Sequence, residues 1–281
     1  PLMKEAGNSA DVIFNSVSVG KGANSVAGNT VLGENALDAA VTGTNNTAIG
    51  KTSLTANTSG TNNTSVGHES LLTNTTGSRN VAIGHDTLKL NTSGVNNTAV
   101  GGQAMYYNQT GNDNSAFGYF ALGLNTTGLK NTAVGFGALD ANTTASNNTA
   151  VGYNSLSANT TGPDNVAIGK DALALNTTGG YNVGIGREVL ETATTASYNT
   201  GVGNGALKVT TTGSSNVAIG AAALDTNTTG TNNVAVGTNA LDNNTTASSN
   251  TAVGKSALLA NTTASNNTAV GFESLKANTT G

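Results

Sequence analysis

Apolar positions in this chain return at a fixed interval instead of filling strand-long or helix-long runs. Ile49, Val66, Ile83, Val100, Phe117, Val134, Val151 and Ile168 recur at every seventeenth position, each directly before a glycine (Gly50, Gly67, Gly84, Gly101 and onward). The phase holds from Gly33 to Gly271, fifteen glycines with no insertion or deletion. A repeat of fixed length is read as an array of one supersecondary unit. With positions counted from that glycine, −3 is Val or Thr, with Ser115 as the one exception. Position −2 is Ala except at Val31, Ser65, Gly184 and Gly201. Alternation of β-branched and small residues predicts a strand, with −3 and −1 on one face and Asn, Ala and Gly on the other. A second apolar pair follows at +4 (Leu54, Leu71, Leu88, Leu122, with Met105 once) and at +6. The unit closes on Asn-Thr-Thr-Gly or Asn-Thr-Thr-Ala, for example Asn125-Thr126-Thr127-Gly128, which is turn chemistry.

These elements predict an all-β fold: a parallel β-roll or β-solenoid with one two-stranded coil per repeat. The four positions −3, −1, +4 and +6 are expected inside. A helical array is disfavoured by the Asn, Gly and Thr load and by the missing helical period. Stacking at the strand spacing of about 4.8 Å lets equivalent side chains form ladders, and fifteen coils would extend roughly 70 Å. Asn46, Asn63, Asn80 and Asn97 at −4, with their successors to Asn267, are expected to bond coil to coil through their amides, as are the turn Asn at +7. The +7 ladder is interrupted at Ala40, Ala193 and Thr210. Residues 20–281 form the array. Residues 1–19, before an irregular first coil, are expected to be a cap or a junction, because solenoid ends need covering.

The interior foreseen for one coil is thin, and its apolar burial falls short of the cost of ordering the whole repeat. The small Ala and Asn stripe on the other strand face therefore predicts contact with copies of the same chain, in a parallel homo-oligomer of three.

Composition narrows the functional classes. Of 281 residues only 9% are charged and 4% aromatic, Gly numbers 37, Cys and Trp are absent, and the net charge is −4. No Lys/Arg run exists, so neither nucleic acid nor an anionic membrane is an expected partner. No apolar run reaches the roughly 18 residues of a membrane span, and no leader with an apolar core opens the chain. Disulfides and thiolate metal sites drop out with the cysteines. The chain starts at Pro1 and stops inside a repeat at Gly281, so it is expected to be part of something longer.

The motif N-T-A-V-G-x-x-A-L-x-x-N-T-T-G, as at Asn131–Gly135 and its successors, resembles the repeats of bacteriophage tail fibres and related appendages. Residues 11–22 resemble the short leader before such repeats. More distantly, Asn29-Thr30-Val31-Leu32-Gly33 is similar to the repeats of trimeric autotransporter adhesin heads, in which left-handed parallel β-rolls trimerise along their length. The adhesin-head unit is shorter than the present repeat, a departure that bears on handedness and packing. The resemblance covers residues 11–281. It implies a left-handed homotrimer, a virion tail-fibre location, fibre or baseplate proteins as neighbours, and a host-surface glycan or protein met through other parts of the fibre. A bacterial cell-surface adhesin head is the alternative. The self-cleaving chaperone domain that often ends such fibres is not in the sequence, as expected of a cleaved or truncated chain.

Candidate chemistry is sparse. His68-Glu69 and His85-Asp86 occupy +1 and +2 of adjacent coils, where two imidazoles and two carboxylates could bind a metal, although exposed corners at a variable position are the preferred reading and no metal is expected. Tyr119, Phe136 and Tyr153 fall at +1 in successive coils and suggest either a glycan platform or a packing ladder. N-x-S/T sequons such as Asn74-Thr75-Thr76 coincide with the turn. Phosphate-binding loops and calcium repeats are missing, so no cofactor and no enzymatic activity are expected. Thr at +8 and +9 raises ice binding as a remote alternative, disfavoured because those Thr sit in the turn.

Overall fold

The computed structural model describes residues 11–280. The chain divides into two compact units, Pro1–Val134 and Gly135–Gly281, and the fold in each is a parallel β-solenoid with one coil per repeat. The first unit opens on a hairpin, β1 (Val12–Phe14) antiparallel to β2 (Val17–Gly20), and β2 runs antiparallel to β3 (Thr30–Gly33). This hairpin occupies the described part of the expected cap; residues 1–10 lie outside the described residues. Parallel strands then follow at one per coil: β4 (Thr47–Ile49), β5 (Thr64–Val66), β6 (Val81–Ile83), β7 (Thr98–Val100), β8 (Ser115–Phe117) and β9 (Thr132–Val134). The second unit repeats the pattern from β10 (Thr149–Val151) to β17 (Thr268–Val270), every strand residue paired with its equivalent in the next repeat.

Two expectations are corrected. Each coil contains one short strand, of three residues from Thr47–Ile49 onward, not two strands. The +4 leucines sit in turns with φ near +50°, for example Leu54 at 53° and Leu173 at 51°, a conformation that cannot continue a strand. Their amides still bond the next coil, as from Leu54 to the Ser70 carbonyl at 2.9 Å. The strand faces are also inverted. Ala at −2 is buried in coil after coil, together with Leu at +4 and the small residue at +3, whereas −3 and −1 face outward. Position +6 is outside as well: Leu124, Leu175 and Val209 are exposed. The Ala and Asn stripe is therefore the interior wall and not a face for neighbours.

The reason is width. A coil with a three-residue strand and tight turns leaves room opposite each Leu for a methyl group and little more. The irregular positions bear on this: +3 is Ala or Ser except at Thr87 and Val189. Beside Val189 the −2 residue is Gly184 in its own coil and Gly201 in the next, whereas beside Thr87, whose Oγ1 donates to the Gly101 carbonyl, it remains Ala82 and Ala99. A Cβ on Gly184 would stand 2.8 Å from Leu173 Cδ1 and 3.1 Å from Val189 Cγ1, and one on Gly201 would stand 2.6 Å from Val189 Cγ2. The repeat glycine has its own constraint. At Gly67, φ is +141° and a Cβ would collide with the Gly84 carbonyl oxygen.

The remaining interior is polar and laddered. In the −4 column, Asn46 Oδ1 accepts the Asn63 backbone N–H at 3.0 Å, and Asn63 Nδ2 donates to the Gly77 carbonyl at 2.9 Å. The backbone bond to the preceding Oδ1 recurs at Asn182, Asn199, Asn216 and Asn233. In the +7 column Asn74, Asn91 and Asn108 each donate to the preceding Asn at 2.7–3.0 Å and to a carbonyl three residues on. Where this column lapses at Ala193 and Thr210, two buried oxygens, Asn176 Oδ1 and Thr210 Oγ1, have no partner. Thr at +8 is also committed: Thr75 Oγ1 donates to the Thr92 carbonyl at 3.1 Å.

Two outcomes follow for equilibrium unfolding. Gly184→Ala and Val189→Ala should each destabilise by about 1–3 kcal/mol, through overpacking and a cavity respectively. The triple variant Gly184→Ala/Val189→Ala/Gly201→Ala should recover most of the loss. Ala193→Asn with Thr210→Asn should complete the +7 ladder and raise stability by about 1–3 kcal/mol in a urea titration.

Candidate functional site

The coil turns Val, Ile and Thr outward in register, and this produces a continuous row along the outer face of each unit. In the first unit the −1 row runs Val12, Val19, Leu32, Ile49, Val66, Ile83, Val100, Phe117 and Val134, each paired with the next. In the second unit it runs from Val151 and Ile168 to Val270. Ile83, Phe117, Ile185 and Ile219 are 39–43% exposed, high for apolar side chains in a paired sheet. No charged residue interrupts the −3 or −1 rows. Contiguous apolar surface of this kind marks interaction sites. Sequence periodicity locates these rows but does not say which face of the strand is inward.

Among the candidate metal residues, His68, Glu69 and Asp86 come together, their ligand atoms within 4.8 Å of one another. His85 is not of the group; its imidazole lies over Gly102 in the following coil, where it would collide with any Cβ. The cluster already holds a cation. Lys89 Nζ pairs with Glu69 and, at 3.1 Å, with Asp86, and it lies 5.5 Å from the Tyr106 ring centroid. The bond to Glu69, above all, holds the Lys89 ammonium above its ordinary range. A metal ion would have to displace that ammonium, so the cluster acts as an ion-pair network at a coil corner.

The aromatic candidates separate by geometry. Phe136 and Tyr153 stack with centroids 5.5 Å apart at 12°, and Tyr119 Oη donates to Gln103 Oε1 at 2.8 Å. The Phe136 and Tyr153 rings face each other along the stacking direction, which covers one face of each while both rings stay about half exposed. A second pair lies at another position, away from the +1 column that the sequence singles out: Tyr181 and Tyr198, both at −5, stack at 5.0 Å and 2°. The sequons' turn asparagines, such as Asn74, are buried with their amides engaged.

A column of acids at +5 carries no signal in the sequence. Burial pushes the Asp140, Asp225 and Asp242 carboxyls up, and the Asp225 charge adds to this at Asp242. Asp140 Oδ1 and Asp225 Oδ1 lack hydrogen-bond partners. Nearby, Lys208 first and Arg187 second hold the Glu188 carboxyl down. Among the described residues no helix is long and apolar enough to cross a membrane. No family model, curated protein or solved structure matches the chain.

The raised acids make a signed prediction. A carboxyl whose folded pKa lies above its unfolded value contributes stability that is complete below the unfolded value, about 3.9 for Asp, and is lost as pH rises through the folded value. Asp225→Asn should therefore be more stable than the parent in urea at neutral pH. The difference should vanish once the pH falls below the ordinary Asp range.

Proposed function

We propose that the chain is a structural segment of a homotrimeric extracellular fibre of the phage-tail type, a stiff spacer for a receptor-binding tip. The observation that carries the reading is the uncharged Val/Ile row on the outer face of every strand. A surface repeating at about 4.8 Å is matched best by another surface with the same repeat, and a parallel copy of the chain in register supplies one. The hairpin extends the row through Val12 and Val19, so the contact begins at the cap. The face for self-association is thus −3/−1, in place of the Ala and Asn stripe. The number three and the virion location rest on the repeat's resemblance to phage fibres. Stiffness follows from backbone and side-chain ladders that bond each coil to its neighbours, while the exposed corners at +1 and +2 vary without disturbing the interior.

One observation favours a second reading. The outer face carries Thr at −3 beside Val at −1, as in β7 and β9, and Thr in alternation on a flat strand is what ice binding requires. The Thr rows are broken by Val81, Ser115, Val166, Val183, Val217 and Val234, and the self-association reading covers the face altogether. Sedimentation separates the two. The parent chain should sediment as a trimer at micromolar concentration. Ile168→Lys with Ile219→Lys should weaken association by about tenfold or more per substitution, with an unchanged circular dichroism spectrum because the side chains face outward. A stable monomer with thermal hysteresis would transfer the face to ice, and a monomer without it would leave neither reading standing.

A further inference from the structure

We propose that Tyr181 and Tyr198 form an oxidative cross-linking site, at which a dityrosine bond staples two successive coils of the second unit. The two rings stack at 5.0 Å and 2°, and they are 51% and 63% exposed. Both occupy −5 with φ of 61°, so their backbones present them identically one coil apart. The chain has no Trp and no Cys, and Met105 is fully buried. Exposed phenols are therefore the natural resting place for an electron hole among the described residues.

Tyr153, Tyr106 and Tyr107 are less suited. Tyr153 stacks on Phe136, which has no phenol to couple. Tyr106 and Tyr107 are chain neighbours tilted by 54°, so a bond between them would join no coils.

The location has a structural reason. Tyr181 shares its coil with Ala193, and Tyr198 shares its coil with Thr210. These are the two coils of this unit that lack the +7 asparagine and leave Asn176 Oδ1 and Thr210 Oγ1 without partners. They are also the coils with glycine at −2, Gly184 and Gly201. Where the inner ladder lapses, the ring stack supplies an outer contact between the same coils, and coupling makes it covalent.

The chemistry balances with a peroxide-driven one-electron oxidant such as a haem peroxidase. Each phenol gives up one electron and its hydroxyl proton, leaving two tyrosyl radicals. These join through carbons ortho to the oxygens, and the two ring protons displaced at the new bond move to the oxygens, restoring both phenols. The two electrons and two protons released reduce one hydrogen peroxide to two waters. Half-exposed rings can shear out of the stack to bring the ortho carbons together.

The experiment is peroxidase and hydrogen peroxide treatment of the folded chain, followed by a denaturing gel and tryptic mass spectrometry. Trypsin cuts after Lys170, Arg187 and Lys208, which places the two tyrosines in separate peptides, 171–187 and 188–208. The expected result is dityrosine fluorescence in a band of single-chain mass and a joined 171–187/188–208 peptide lacking two hydrogen atoms. Tyr198→Phe should keep the stack and lose the joined peptide. Treatment in urea should abolish the preference for this pair. Coupling only between chains, coupling confined to other tyrosines, or no dityrosine in the folded protein would each overturn the assignment.

Discussion

The buried asparagine at −4 is the constraint on which the rest of the coil depends. Its Oδ1 accepts the backbone N–H of the same residue one coil on, and its Nδ2 donates to the carbonyl of the turn that closes its own coil. One side chain thus joins strand, turn and neighbouring coil while satisfying backbone groups that no strand pairing reaches. A polar group with no access to water must be bonded, and here that requirement is met by a residue that is its own partner in the next repeat. Aspartate would set a carboxylate oxygen against a carbonyl; leucine would satisfy neither group. An insertion that shifted one coil out of phase would break the bonds that coil makes to its neighbours.

The shape of the interior follows. With asparagine at −4 and again at +7 lining the cavity, the strand between them is short, and its inward residue at −2 meets the leucine at +4. Only alanine, serine or glycine fits there beyond the first coil, and the exchange at Val189 against Gly184 and Gly201 shows how little slack remains. The larger β-branched residues are displaced outward. What is a core pattern in an ordinary sheet becomes a surface pattern here, and the proposed self-association would use that surface. Turns with positive φ at −5, +2 and +4 complete the coil; −5 and +2 are often Asn or Asp, with Tyr181 and Tyr198 at −5, whereas +4 is Leu except at Met105.

Much of this was legible in the sequence. The fixed period, the all-β parallel solenoid, the two asparagine ladders, the repeat glycine and the buried leucines at 54, 71, 88 and 122 could all be read from position alone. The facing of the strand could not. Alternation shows that −3 and −1 share a side, but the greater hydrophobicity of Val and Ile points to the wrong one unless the width of the coil is known. The second strand misleads for a related reason: Leu at +4 and an apolar +6 imitate alternation, while the left-handed turn conformation of leucine leaves no mark in composition. The histidine pair was half visible, since the spacing brings His68, Glu69 and Asp86 together, but the side-chain direction of His85 and the arrival of Lys89 from +5 depend on coordinates. The Tyr181 and Tyr198 stack was within reach of a column-by-column reading at −5, and only its coincidence with the gap at Ala193 and Thr210 gives it meaning.

On the proposed reading, function resides in repetition more than in any one site. The inner asparagines determine the coil, the coil determines which side chains face out, and the outward rows determine what the chain can join. The most direct test is therefore of the ladder itself: equilibrium urea unfolding of Asn216→Asp, an isosteric change in the middle of the −4 column. The expected result is destabilisation of about 3 kcal/mol or more, from a buried carboxylate facing the Gly230 carbonyl that the amide formerly bonded. An unchanged unfolding midpoint would contradict it.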